Sequence, residues 1–148
     1  MPKRILVPLD LTPEAESMLP VVADTARGGG ATVRLLHVAP VPESVEGIDG
    51  RIVAYADQET ARLEAEATDY LRTAARLAGL DGETVVRFGD PAQEIVREAE
   101  AFGADLIALA TRSRGPLSRL ILGSTSEQVC HRTDVPVMVY RPGPHGRA

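Results

Sequence analysis

From Asp105 to Arg141 the chain reads DLIALATRSRGPLSRLILGSTSEQVCHRTDVPVMVYR, and this stretch decides the fold. Its first apolar run, Leu106-Ile107-Ala108-Leu109-Ala110, lacks any polar alternation, as expected of a strand buried on both faces. A basic loop follows, Thr111-Arg112-Ser113-Arg114-Gly115-Pro116. Gly123-Ser124-Thr125-Ser126-Glu127 then opens a helix, and Ser124 with Glu127 has the Ser-x-x-Glu spacing of a capping box. A second apolar run, Val135 to Tyr140, reads as the closing strand. A loop that leaves the carboxyl end of a parallel strand and feeds a helix N-terminus is where open α/β sheets bind ligands. The N–H groups and dipole of such a helix end favour an anion, most often phosphate.

Upstream, the same alternation repeats. Lys3-Arg4-Ile5-Leu6-Val7-Pro8-Leu9-Asp10 is an apolar burst ending in a proline and an acid, which predicts a buried first strand with Asp10 at its carboxyl end. Thr12-Pro13-Glu14 signals a helix start: a hydroxyl cap, proline at the first helical position and an acid in the first turn. Ala15, Met18, Leu19, Val22 and Ala26 recur at helical spacing, predicting one helix that stops at Gly28-Gly29-Gly30. That glycine triplet follows a helix and precedes a strand, the reverse of the order a phosphate loop requires.

Residues 31–38 (ATVRLLHV) predict the second strand, and a proline-broken polar loop runs to about Gly50. A long amphipathic helix over 51–78 has Ile52, Ala56, Leu63, Ala67, Tyr70, Leu71, Ala74 and Leu77 on one face. Glu83 to Phe88 predicts a third strand. Gly89-Asp90-Pro91-Ala92-Gln93 opens the next helix, whose Ile95, Val96, Ala99 and Phe102 face inward before Gly103 ends it. Strand and helix alternate four times before a fifth strand. The expected fold is an α/β domain: an open five-stranded parallel sheet in order 3-2-1-4-5 with helices on both faces, Rossmann-like.

Length and composition narrow the function classes. The 148 residues make one domain, expected over 1–142 with a flexible tail at 143–148. A net charge of −5 argues against sequence-independent nucleic-acid binding, which relies on a basic face. No apolar run nears the ~18 residues of a membrane span and no signal-peptide pattern opens the chain, so a cytoplasmic protein is expected. The single Cys130 has no partner for an internal disulfide, which fits a reducing compartment. Lys3 is the one lysine, and it sits at the start of the first strand, where neither a P-loop nor a Schiff base places it.

Among residues with chemistry to offer, Asp10 forms one wall of the expected crevice and is suited to accept from a ribose hydroxyl or an amino group. Arg112, Arg114 and Arg119 lie in or beside the loop, where guanidinium pairs with phosphate oxygens. His37 lies in an apolar strand and reads as a core histidine with a satisfied hydrogen bond. Cys130 and His131 are adjacent in a helix and point apart, and no clustered His or second Cys completes a metal site. No serine sits in a Gly-x-Ser-x-Gly elbow.

Five landmarks in order resemble the universal stress protein family over nearly the whole chain. They are Ile5-Leu6-Val7-Pro8-Leu9-Asp10, Leu35-Leu36-His37-Val38, Gly89-Asp90-Pro91-Ala92, Ala104-Asp105-Leu106-Ile107, and Leu122-Gly123-Ser124 with Val135-Pro136-Val137-Met138-Val139. ATP-binding members carry a Gly, two residues, Gly, nine residues, Gly, then Ser or Thr. This chain keeps that spacing and the final Gly123-Ser124, with Ala110 and Ser113 in place of the first two glycines. A serine at a position that needs positive φ costs about 1–2 kcal/mol, while its hydroxyl is able to donate to phosphate.

The resemblance implies an ATP-binding stress-response domain. Adenine and ribose would meet Pro8, Leu9, Asp10 and the Val38 backbone. The triphosphate would lie along Ala110, Thr111, Arg112, Ser113, Arg114, Gly115, Gly123, Ser124, Thr125 and Ser126, with any Mg2+ held mainly by the phosphates. It also implies a homodimer through the strand at 135–140, acting as a slow or non-hydrolysing switch. The rival reading is a dimeric interaction module of the same fold that has lost its nucleotide. A phospho-acceptor receiver domain shares the alternation but requires a lysine ending its fifth strand, where this chain has Tyr140-Arg141.

Overall fold

Five parallel strands, β1 (Arg4–Pro8), β2 (Thr32–Ala39), β3 (Glu83–Phe88), β4 (Leu106–Ala110) and β5 (Val137–Tyr140), form one sheet in the order β3-β2-β1-β4-β5. This is the order expected from the sequence. The computed structural model describes residues 3–42, 51–111 and 123–141. β1 pairs with β2 from Arg4 opposite Thr32 to Pro8 opposite Leu36, and with β4 at Ile5–Leu106 and Leu6–Ile107. Asp105 fixes the start of this centre: its Oδ2 accepts the backbone N–H of both Lys3 and Arg4 at 3.0 Å.

Among the described residues five helices cover the sheet: α1 (Pro13–Glu16), α2 (Leu19–Gly29), α3 (Arg51–Leu77), α4 (Pro91–Phe102) and α5 (Ser124–Arg132). Side-chain alternation along the strands divides the core in two. Ile5, Val7, Leu9, Val33 and Leu35 pack with Leu19 and Val22 of α2 and with Leu71 and Ala74 of α3. Leu6, Leu36, Ile107 and Leu109 pack on the opposite face with Ile95, Ala99 and Phe102 of α4 and with Val129 of α5.

The first helix departs from expectation. The sequence pattern predicts one helix from Pro13, but two are found, with the break at Ser17 and Met18. Pro20 is responsible: it has no N–H to give to the carbonyl of Glu16, so the first helix stops there and a second starts at Leu19. α2 ends as expected, with Gly30 at φ 66° and the Gly30 and Ala31 N–H groups both on the Ala26 carbonyl.

Leu77 also departs from its expected face and is 79% exposed. The buried stripe of α3 runs through Ala67, Leu71, Ala74 and Ala75, and Leu77 lies off that 3.6-residue line. In α4 the surprise runs the other way. Val96 is only half-buried, while Glu94 and Glu98 are buried at 7% and 3% exposure. Arginines from two strands accompany them: Arg34 of β2 reaches Glu98 and Glu83, and Arg87 of β3 reaches Glu98 and Glu94. The Arg34 guanidinium also lies over the Phe102 ring, 4.1 Å from its centroid.

Candidate functional site

At the carboxyl edge of the sheet, where β1 and β4 diverge, lies a crevice of about 340 Å³. This is the topological switch point, at which one crossover runs to each side of β1. Its floor and walls are apolar: Pro8 and Leu9 from β1 and its end, Leu36 and Val38 from β2, Leu109 from β4, and Pro91 and Ile95 from α4. Its polar groups are Asp10, His37 and the first turn of α5, Gly123 to Ser126. An apolar slot with polar groups at its ends suits a flat ring carrying an anionic tail.

The end of β1 is shaped by local hydrogen bonds. Asp10 Oδ1 accepts the backbone N–H of Thr12 at 3.2 Å and its hydroxyl at 2.6 Å, and Thr12 Oγ1 in turn accepts the Ala15 N–H at 3.3 Å. Between them Leu11 sits at φ 63°, the left-handed region, which costs a residue with a Cβ about 1–2 kcal/mol. Strain of this kind survives only where neighbouring contacts enforce it, and here it sets Asp10 on the crevice rim. Nearby, the Tyr70 hydroxyl donates to Glu16 Oε2. Burial pushes the Tyr70 phenol pKa up, and the Glu16 hydrogen bond and the charges of Glu16 and Asp10 push the same way.

Of the helix starts at this edge whose caps lie among the described residues, α1 and α4 are closed by side chains and α5 is open. α1 has Thr12 as cap, and α4 has Asp90, whose Oδ2 accepts the Gln93 N–H at 2.9 Å. Pro91 removes a further N–H there. α5 differs. Its cap is Gly123, whose carbonyl takes the Glu127 N–H at 3.0 Å, and among the described residues no side chain closes the turn. This corrects the capping box expected from Ser124 and Glu127. Ser124 is already the first helical residue, one position too late for its hydroxyl to cap the turn. Among the described residues the first turn of α5 is thus without a side-chain cap where it lines the crevice.

Two further features mark this turn. Ser126 is 8% exposed and lines the crevice, yet among the described residues its hydroxyl has no hydrogen-bond partner. Gly123 has an ordinary φ of −67°, and a Cβ built there meets nothing within 4 Å among the described residues. Among the described residues nothing requires glycine at this position, which lines the crevice.

The β2 wall carries a backbone edge. Leu9 N–H donates to the Leu36 carbonyl at 2.8 Å, the last backbone bond between β1 and β2 among the described residues. Residues two apart in a strand point their N–H and C=O the same way. Val38 therefore turns both groups toward β1's side, where β1 has already left the sheet. Ala39 points oppositely, and its carbonyl accepts the Gly89 N–H at 3.0 Å.

Of the residues predicted from sequence, the fold brings Pro8, Leu9, Asp10, Val38, Gly123, Ser124, Thr125 and Ser126 together around one crevice. Ala110 ends β4, and Thr111 is buried at 1% exposure with its N–H on the Tyr140 carbonyl at 2.8 Å; neither lines the crevice. Arg112, Ser113, Arg114 and Gly115 lie outside the described residues. The sequence reading missed Ala15, Leu36, His37, Pro91, Ile95 and Leu109 as lining residues. Topology held the signal for two of them. A crossover from β3 to β4 must pass β2 and β1, which sets the start of α4, and so Pro91 and Ile95, beside the crevice.

An open parallel sheet with an apolar crevice at its switch point, lined at one end by the first turn of a helix, defines a Rossmann-like α/β domain. The chain belongs to the universal stress protein family, whose sequence pattern matches residues 1–141. Universal stress protein YxiE of Bacillus subtilis is 27% identical over 145 residues, covering 93% of this chain and 98% of its own length. Universal stress protein MJ0577 of Methanocaldococcus jannaschii is 26% identical over 155 aligned positions, covering 95% of this chain and 96% of its own length. The solved structure of MJ0577 matches with a TM-score of 0.76 over 94% of this chain and 95% of that one. A universal stress protein from Archaeoglobus fulgidus, solved in complex with dAMP, shares the fold at 23% identity, with a TM-score of 0.61 over 93% of this chain and 96% of that chain.

Proposed function

We propose that the crevice binds an adenine nucleotide, ATP foremost, and that the domain acts as a dimeric, nucleotide-dependent switch in the stress response. The observation that carries this reading is the pairing of two recognition elements in one crevice. Val38 offers a backbone N–H beside a C=O at one side, and the uncapped first turn of α5 offers N–H groups and hydroxyls at the other. Adenine presents an acceptor, N1, next to an amino donor, N6, which complements that N–H and C=O. Guanine presents a donor and an acceptor in the opposite order and so mismatches the same edge.

Leu36, Pro91 and Ile95 then supply apolar contact to the ring, and Asp10 is placed to accept from a ribose hydroxyl. The phosphates would run to Gly123, Ser124, Thr125 and Ser126, with Ala110 to Gly115 completing the cradle. Any Mg2+ would be held mainly by the phosphates. No helix among the described residues is long and apolar enough to cross a membrane, and Cys130 is an exposed free thiol, which fits a cytoplasmic protein. Dimerisation through 135–140 completes the proposal.

Mass spectrometry of small molecules released from the purified, denatured protein tests the reading. An adenine nucleotide in near-stoichiometric amount is expected. Protein that carries no nucleotide, and takes none up on incubation with millimolar ATP, would favour the interaction module that has lost its ligand.

A further inference from the structure

His37 lines the crevice, yet nothing in the nucleotide reading uses its side chain. Its imidazole Nδ1 lies 2.9 Å from the carbonyl oxygen of Leu9. A carbonyl only accepts, so Nδ1 carries the proton and donates. In a regular parallel ladder that carbonyl would have another donor. Leu9 N–H already bonds to Leu36 C=O, and the next rung would be Val38 N–H to Leu9 C=O. That rung is missing among the described residues, and His37 Nδ1–H stands in its place.

We infer that His37 is a positioning residue that satisfies the Leu9 carbonyl with its side chain and so releases the Val38 N–H into the crevice as a donor for a planar heteroaromatic ring. A buried carbonyl left without a donor is costly, so something must bond Leu9. Were that donor Val38, the ladder would extend by one rung and the recognition edge would close. The same contact ties β1 to β2 at the point where the chain turns into strained Leu11, and so steadies the segment that carries Asp10. The inference rests on the adenine-nucleotide reading for its consequence but not for its geometry.

The experiment combines amide exchange with two ligands. In nucleotide-free protein the Val38 amide is expected to exchange rapidly for a residue within a strand. In His37→Leu, which removes the donor, the Leu9 carbonyl recruits Val38 N–H and exchange at Val38 slows. In the same variant ATP affinity falls about fivefold, the worth of one net hydrogen bond, while affinity for inorganic tripolyphosphate is unchanged. His37→Asn, whose amide nitrogen sits near the place of Nδ1, retains wild-type behaviour on all counts.

A slowly exchanging Val38 amide in the nucleotide-free wild-type protein would overturn the inference. So would unaltered exchange in His37→Leu, or a parallel loss of ATP and tripolyphosphate binding. Should His37→Leu fail to fold, the wild-type exchange rate at Val38 and the behaviour of His37→Asn still decide it. If wild type binds no ATP, the nucleotide reading fails while the exchange measurements still judge His37.

Discussion

Arg87 of β3 and Glu98 of α4 meet through Nε and Oε1 at 2.7 Å, with the glutamate side chain only 4% exposed. The other oxygen of Glu98 takes Arg34 of β2 at 2.6 Å, so one carboxylate fastens α4 to two neighbouring strands. The contact with Glu98 raises the pKa of Arg87. Glu98→Ala leaves two half-buried guanidinium groups without this partner and is expected to destabilise by about 3 kcal/mol, the low end for breaking a buried pair. Glu98→Gln keeps the shape and should cost less. Urea unfolding of the two variants checks the order.

Tyr70 gives the fold an alkaline limit. Burial and the bond to Glu16 raise its phenol pKa, so the folded state holds the proton when the unfolded chain has lost it. A group protonated more tightly in the folded state contributes stability below its unfolded pKa of about 10 and loses it as pH rises toward the higher folded value. Stability should therefore fall above about pH 10, and the slope should shrink in Tyr70→Phe. Thermal unfolding of both proteins across that range is the measurement; equal slopes would contradict the assignment.

The first turn of α5 should separate folding from binding. Ser126→Ala removes a buried hydroxyl that has no partner among the described residues, so stability should stay within about 0.5 kcal/mol or rise. Gly123→Ala adds a methyl where the described residues leave space, at an ordinary φ, and should fold normally. Each should nevertheless weaken nucleotide binding about tenfold, one by losing a donor and the other by blocking close approach to the backbone. Calorimetric affinity that matches wild type in both variants would move the phosphate site elsewhere.

β5 lies at the sheet edge, next to β4 alone, and Val137, Met138, Val139 and Tyr140 are each half-buried. An apolar edge strand needs a cover. A second copy of the same strand is the expected cover, since two-fold pairing is the commonest closed assembly. Val137→Lys with Val139→Glu should give monomer or aggregate in sedimentation. A stable wild-type monomer at micromolar concentration would contradict the dimer.

The sheet order was legible because each strand is a short apolar burst and each helix has a start and stop signal. The Asp90 cap and the Gly30 and Gly103 stops all stand where those signals put them. Pro20 was legible too, but its apolar neighbours Leu19 and Val22 keep helical spacing across the break and masked it. Glu94 and Glu98 were not legible. Burial of an acid depends on arginines 64 and 11 residues away from Glu98, and no local pattern reports them. At the site, Asp10 and the Gly123–Ser126 turn were visible as motifs, whereas the apolar walls were visible only through topology. The role of His37 required the ladder register, since its hydrogen bond crosses 28 residues to a backbone atom.

Titration of ATP into nucleotide-stripped protein by isothermal calorimetry, with GTP as the control, tests the central claim most directly. The account predicts one ATP per chain with micromolar or tighter affinity, and GTP weaker by about tenfold or more because its base reverses the donor and acceptor order at Val38. No heat with ATP, or equal affinity for ATP and GTP, would contradict it.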